Sequence, residues 1–151
     1  MSFRSSIILL ARTLGIIPRR TPSPAEAEAL AAAAVLVRVA RVDGDLSARE
    51  GARLEAALET RFGIARPRAR SLLATARRIE DETGDLSTLI DSVGRDPGAR
   101  RRLVAMAYSI ASADGAMHEF EEDIVWRLGR QLGFDDGEIA AIRETQALQT
   151  L

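Results

Sequence analysis

The chain has 151 residues, 46% hydrophobic and 28% charged, a globular composition long enough to bury a core and unlike that of disordered segments. Cysteine is absent, which excludes a disulfide framework, a thiolate nucleophile and a Cys-based zinc site, and fits a reducing, cytoplasmic compartment. The formal net charge of -1 excludes a strong global field toward nucleic acid or anionic membrane.

In chain order, the apolar residues Phe3, Ile7, Leu10, Leu14 and Ile17 recur at spacings of three and four and mark one side of an amphipathic helix. The run is too short to span a bilayer, which takes roughly 20 residues, and Arg12 interrupts it. It lacks the unbroken apolar core and cleavage site of a signal peptide. Such a helix either docks on its own domain or contacts a membrane surface or a partner. Pro18 to Pro24 reads as a linker, so residues 1–23 form an N-terminal helix and linker ahead of one helical domain over 24–151.

Ser23, Pro24 and Glu26 make a capping box with proline at the first helical position. From Leu30 to Val42 only Arg38 and Arg41 are polar, so this helix is expected at the centre of the fold. It stops at Asp43-Gly44. Ser47 and Glu50 form a second capping box, opening a helix with Leu54, Leu58 and Phe62 on one face and Gly63 at its end. Pro67 starts a helix through about Glu80, Asp81 to Asp85 breaks the pattern, and Leu86 to Val93 is a short helix. Asp96-Pro97 signals another start. Leu103 to Ala113 is again apolar nearly all round and halts at Asp114-Gly115. His118 to Leu132 follows, Gly133 ends it, and Asp135 with Glu138 caps a last helix toward Gln146. No run alternates with period two for long enough to make a convincing strand, so the class is all-α, a compact domain of about seven helices.

A shift of 71 residues superposes Ala40 on Ala111, Asp43 on Asp114, Gly44 on Gly115 and Glu50 on Glu121. Val39 meets Ile110, Leu46 meets Met117 and Leu54 meets Val125. The domain is thus built on a duplicated helix, Asp-Gly turn, helix hairpin. Each hairpin has an apolar face that it cannot bury alone, and packing the two about a pseudo-twofold axis is the economical expectation.

The paired pattern A-x-x-D-G-x-x-x-x-x-E resembles the TerB-like family, named for tellurite resistance. The likeness is closest in Ala113-Asp-Gly-Ala-Met-His-Glu-Phe-Glu121, followed by Leu128-Gly-Arg-Gln-Leu-Gly133, and it extends over about Ala25 to Ala147. Residues 65–100 match in helical character only, and the first 24 lie outside the match. The resemblance implies a helical domain whose acidic positions are associated with metal binding, linked to stress-response complexes at the inner membrane face.

Physical chemistry bears on the same residues. Asp43 and Asp114 stand at helix C-termini, where a carboxylate meets the negative end of the dipole at a cost of about 0.3–1 kcal/mol. Turn amides such as those of Asp45 and Leu46, the start of the next helix, or a cation would offset it. Asp43, Glu50, Asp114 and Glu121 are therefore the candidate metal ligands, and an all-oxygen set favours Mg²⁺, Ca²⁺ or Mn²⁺. The same four also have a structural reading, as turn-capping aspartates and first-turn glutamates. The pattern is not an EF-hand: counted from Asp43, Ala48 stands where glycine is needed and Leu54 where the bidentate glutamate belongs, and Val125 fails likewise in the second copy. His118, the sole histidine, takes the position of Ser47, as a cap or turn residue or as a ligand.

Without cysteine, with one histidine and with no Gly-rich phosphate loop or HExxH pattern, the sequence shows no assembled catalytic chemistry, so no enzyme is expected. Arg61, Arg66, Arg68, Arg70, Arg77 and Arg78 cluster in sequence, as do Arg95, Arg100, Arg101 and Arg102. With aromatics at 4%, they read as solvated faces pairing with acids, not as a nucleic-acid surface. The functional expectation is a noncatalytic binding or adaptor module with protein partners, responsive to a divalent cation, cytoplasmic or peripheral at the inner membrane through residues 3–17. The alternative is an interaction module acting through its arginine faces or N-terminal helix without metal.

Overall fold

A computed structural model describes Thr13 and residues 23–41, 46–83, 85–111 and 119–150, with the backbone alone for 111, 119–121 and 147–150. The predicted helix over 3–17 (apart from Thr13), the linker over 18–22 and both Asp-Gly turns lie outside the described residues. Seven α-helices and no strand occur among those described: α1 (Pro24–Ala40), α2 (Ala48–Phe62), α3 (Arg66–Thr83), α4 (Leu86–Val93), α5 (Pro97–Ala111), α6 (Glu119–Gln131) and α7 (Asp136–Thr150). The class is all-α, as the patterning indicates. The chain divides between Arg95 and Asp96 into two compact units.

In the first unit α1 begins as its sequence requires. Ser23 Oγ accepts from Glu26 N–H at 3.2 Å and Glu26 Oε1 accepts from Ser23 N–H at 3.4 Å, satisfying two amides that the helix itself cannot. Every residue from Ala29 to Val37 is buried, because α2, α3 and α4 all pack on this helix. Its alanines keep the helix thin enough for several neighbours to approach. Ion pairs set the directions of the bundle. Glu26 meets Arg68 near the starts of α1 and α3, and Arg41 meets Glu80 near their ends, so the two helices run parallel. Glu59 meets Arg66 at 3.3 Å and Glu55 meets Arg70 at 3.0 Å, so α2 runs antiparallel to α3.

Gly63 closes α2 with φ of 63°, a backbone conformation that costs a residue with a Cβ, and the next residue, Ile64, is buried. α3 extends past the predicted end at Glu80 to Thr83. The acids that break the apolar pattern do not break the helix, because arginines from α1 hold Glu80 and Asp81. Asp85 then caps α4 through Ser87 N–H and Thr88 N–H.

The second unit repeats the plan. Asp96 accepts from Ala99 N–H at 3.1 Å at the start of α5, whose Leu103, Val104, Met106, Ala107, Tyr108 and Ile110 are buried. α6 ends in a Schellman turn: Phe134 N–H donates to Gly129 O at 3.1 Å and Gly133 N–H to Arg130 O at 3.0 Å, with Gly133 at φ 96° and Phe134 buried behind it. The Arg100 guanidinium donates to Leu132 O at 2.8 Å, filling another carbonyl at that helix end. The Arg101 guanidinium sits 5.9 Å from the Phe134 ring centroid, and the charge of Arg143 acts on Tyr108, so α5 and α7 run parallel. Gly129 faces Ile139, and Glu122 pairs with Arg143, so α6 and α7 run antiparallel.

The two units are thus alike beyond their first two helices. Gly63-Ile64 and Gly133-Phe134 are equivalent, and α3 and α7 are the third helices of two like units.

Candidate functional site

In sequence, Asp43 and Asp114 fall between the first and second helices of their units, and Glu50 and Glu121 fall in the second helices. In the first unit the connection leaves α1 at Arg41 and re-enters α2 at Ser47. Asp43 lies outside the described residues, as do Asp114 and His118. Glu121 is in α6 with only its backbone described. Glu50 is described fully: its Oε2 accepts from Ser47 N–H at 3.0 Å while Ser47 Oγ accepts from Glu50 N–H at 3.0 Å. This is the capping box that the spacing predicts. Oε1 takes no part in it, so the half-buried carboxylate keeps an oxygen of the kind that hard cations take. In donor chemistry Glu50 fits such a cation, and it fits equally the capping role it performs. Among the described residues no three His, Cys, Asp or Glu side chains come together as a metal-binding group.

Where α1 and α3 end side by side, two helix dipoles turn their negative ends the same way and Glu80 and Asp81 add carboxylates. Glu80 is only 3% exposed. Bare, a carboxylate there would be strongly disfavoured. Arg41 answers it at 2.6 Å and also grips Asp81, while Arg38 reaches the other Glu80 oxygen at 3.6 Å. Hydrogen bonds to Asp81 and then Glu80 raise the Arg41 pKa further above its usual range, so the guanidinium stays charged. Asp85 belongs to the same end. Its carboxyl is held below the ordinary range, chiefly by the Thr88 hydroxyl at 2.7 Å and then by Ser87 N–H, with Arg38 adding a favourable charge.

This network is absent from the ligands proposed on spacing, yet a signal for it exists. Ala69, Leu72, Leu73, Ala76 and Ile79 trace the buried face of α3, and Glu80 falls on that face. A charge at an apolar position demands a partner, and Arg38 and Arg41 are the only charged residues in the apolar stretch ending α1.

The arginine clusters are largely occupied within their own units. Arg66, Arg68 and Arg70 pair with Glu59, Glu26 and Glu55, Arg100 caps a helix, Arg101 stacks on Phe134, and Arg102 lies 3.9 Å from Asp96. Arg61 is half-buried, and burial lowers its pKa. Arg77 and Arg78 are exposed on α3.

The family model described as tellurite resistance protein TerB matches residues 29–144. The chain belongs to the TerB family. The match spans both units, the first of four helices and the second of three. Comparison with curated proteins and with solved structures finds no match. This TerB domain is therefore tellurite-resistance-related by family. No described helix is long and apolar enough to cross a membrane.

Proposed function

We propose that this TerB-family chain is a noncatalytic, divalent-cation-responsive binding or adaptor module serving a stress response. Asp43, Glu50, Asp114 and Glu121 supply its oxygen ligands, and Mg²⁺, Ca²⁺ or Mn²⁺ is the ion class. What supports the reading is the sequence pattern, Asp-Gly following the most apolar helix of each unit and a glutamate in the next helix. A carboxylate at a helix C-terminus is electrostatically costly, and a cation shared with the following glutamate would offset that cost. When bound, the ion would supply charge neutralisation and a rigid turn, and the residues themselves would do the recognising. Its partners are proteins, with residues 3–17 available for a peripheral contact at the cytoplasmic membrane face.

The test is thermal melting of the full chain in chelator and in each of the three cations. At about 100 times the dissociation constant a cation adds roughly 2.7 kcal/mol, which in a chain of this size raises the melting temperature by about 5–10 °C. Asp43→Asn combined with Asp114→Asn should remove the rise. A wild-type melting temperature indifferent to all three ions would sink the cation reading.

A second reading, protein contact through an arginine face without metal, is favoured by Arg77 and Arg78, which make no ion pair among the described residues. Reversing both to glutamate should abolish partner capture while leaving any cation response intact.

A further inference from the structure

Three neighbours account for most of the burial of α1 but not for all of it. Glu26, Arg38 and Arg41 reach α3, so one side of α1 faces that helix. α3 also packs against α2 and against α4, which among the described residues do not pack on one another, so α3 stands between them. The three helices therefore cover α1 from the α3 side and its flanks. At about 100° per residue, Glu28, Ala32, Val35 and Val39 form the opposite side of α1. Ala32 and Val35, in the middle of that side, are nevertheless only 4% and 0% exposed. Something other than α2, α3 and α4 keeps water from them.

The chain carries a matching cover. The first unit runs from Met1 to Arg95, so the residues ahead of α1 belong to it. Among them Phe3, Ile7, Leu10 and Leu14 follow one another at spacings of 4, 3 and 4. Val39, Val35, Ala32 and Glu28, read backwards, follow at the same spacings. Laid antiparallel on α1, the segment sets Phe3 against Val39, Ile7 against Val35 and Leu10 against Ala32, a larger side chain over a smaller one each time. The six residues from Pro18 to Ser23 are a short connection, and short connections make neighbouring helices antiparallel. Thr13, the described residue ahead of Ser23, is helical and exposed, and it stands about a quarter-turn round a helix from the apolar line.

We infer that the side of α1 opposite α3 is the seat of residues 3–17, whose apolar line closes it. The segment is then occupied within its own chain, and a membrane contact requires it to leave α1. Seated, it buries its own apolar side and that of α1 together; released, it exposes both, and a lipid surface can take up only the first. The seat is independent of the cation reading, and its membrane consequence rests on the peripheral contact proposed above.

The chain contains no cysteine, so cysteine pairs introduced into the full chain report on single contacts. Ile7→Cys with Val35→Cys, and Leu10→Cys with Ala32→Cys, should form disulfides under mild oxidation at least about tenfold faster than Leu10→Cys with Ala56→Cys, whose second position is exposed on α2. Ile7→Asp should lower the melting temperature by roughly 5–10 °C, whereas Ser5→Asp, on the far side of the segment, should leave it unchanged. Vesicles of phosphatidylglycerol test the release: the Leu10→Cys, Ala32→Cys chain should bind them at least about tenfold more weakly oxidised than reduced. Equal disulfide rates in the test and control pairs, or a melting temperature indifferent to Ile7→Asp, would overturn the seat. Equal vesicle binding in the two redox states would overturn the need for release. Binding in neither state would overturn the membrane contact proposed above, while the disulfide rates and the melting still decide the seat. The two aspartate variants decide it even if a cysteine pair disturbs folding.

Discussion

Where its second and third helices cross, the second unit sets Gly129 against Ile139, so closely that a Cβ on the glycine would lie 2.9 Å from two Ile139 carbons. The equivalent positions in the first unit are Leu58 and Ala69, both fully buried. The large and small partners have changed sides. A similar exchange runs along the first helices. α1 carries Ala32, Ala33, Val35 and Val37 where α5 carries Leu103, Val104, Met106 and Tyr108, all buried. The thinner helix belongs to the unit with an extra neighbour, α4. What the two units share is helix direction and turn chemistry, while the residue at a given position differs between them together with its neighbours.

The largest expected effect comes from emptying either first helix. Leu36 and Leu103 are 4% and 1% exposed, and truncating either to alanine should cost about 2–5 kcal/mol, read by denaturant unfolding. If the plan is shared, the two losses should be of similar size. A loss in one unit below about 1 kcal/mol would show that its first helix is not the centre of a core.

A medium effect tests the exchanged crossing. Gly129→Ala should destabilise by about 1–3 kcal/mol, because Ile139 presents a branched chain and not a free flexible end. Shortening the partner in the same chain, Ile139→Val, should recover part of the loss, giving a non-additive pair of the kind that contacting residues show. Additive losses would mean that the close approach is not what makes the substitution costly.

Most of this plan is legible in the residues. The capping boxes at Ser23, Ser47 and Asp135, the glycine stops and the apolar runs each fix a helix end or face by local chemistry, and local chemistry is what a sequence displays. The extension of α3 to Thr83 is not legible in that way. It depends on arginines some forty residues earlier reaching Glu80 and Asp81, and an acid-rich helix end looks like a break until those partners are known. The likeness of the third helices is hidden for a related reason: Ala69 and Ile139 take corresponding buried positions and are unlike in residue. Of the candidate ligands, the Glu50 environment follows from its spacing to Ser47; for the Arg41 network the sequence signals only that Glu80 on an apolar face needs a partner, and tertiary contact supplies which one.

The smallest expected effect separates the units by pH. The third helix of the second unit begins with a carboxylate cap, Asp135 accepting from Glu138 N–H at 2.8 Å, while its counterpart α3 begins without one, Ala65 O accepting from Ala69 N–H at 2.9 Å. The Asp135 carboxyl is held below the ordinary range, first by the Glu138 amide, with the Gly137 amide and Arg130 adding to it. A carboxyl whose folded pKa lies below its unfolded value of about 3.9 stabilises fully at pH above that value, and the contribution fades as pH falls through the folded value. Asp135→Ala should therefore lower the melting temperature near pH 7 by less than Gly129→Ala does, and the gap from wild type should close in acid. Asp135→Asn keeps a good N-cap without a titrating group. Its melting temperature should differ from that of the Ala variant by the same amount at both pH values. If the Ala gap persists unchanged at low pH, the cap acts through its neutral hydrogen bonds, and the charge at the start of α7 does not distinguish the second unit from the first.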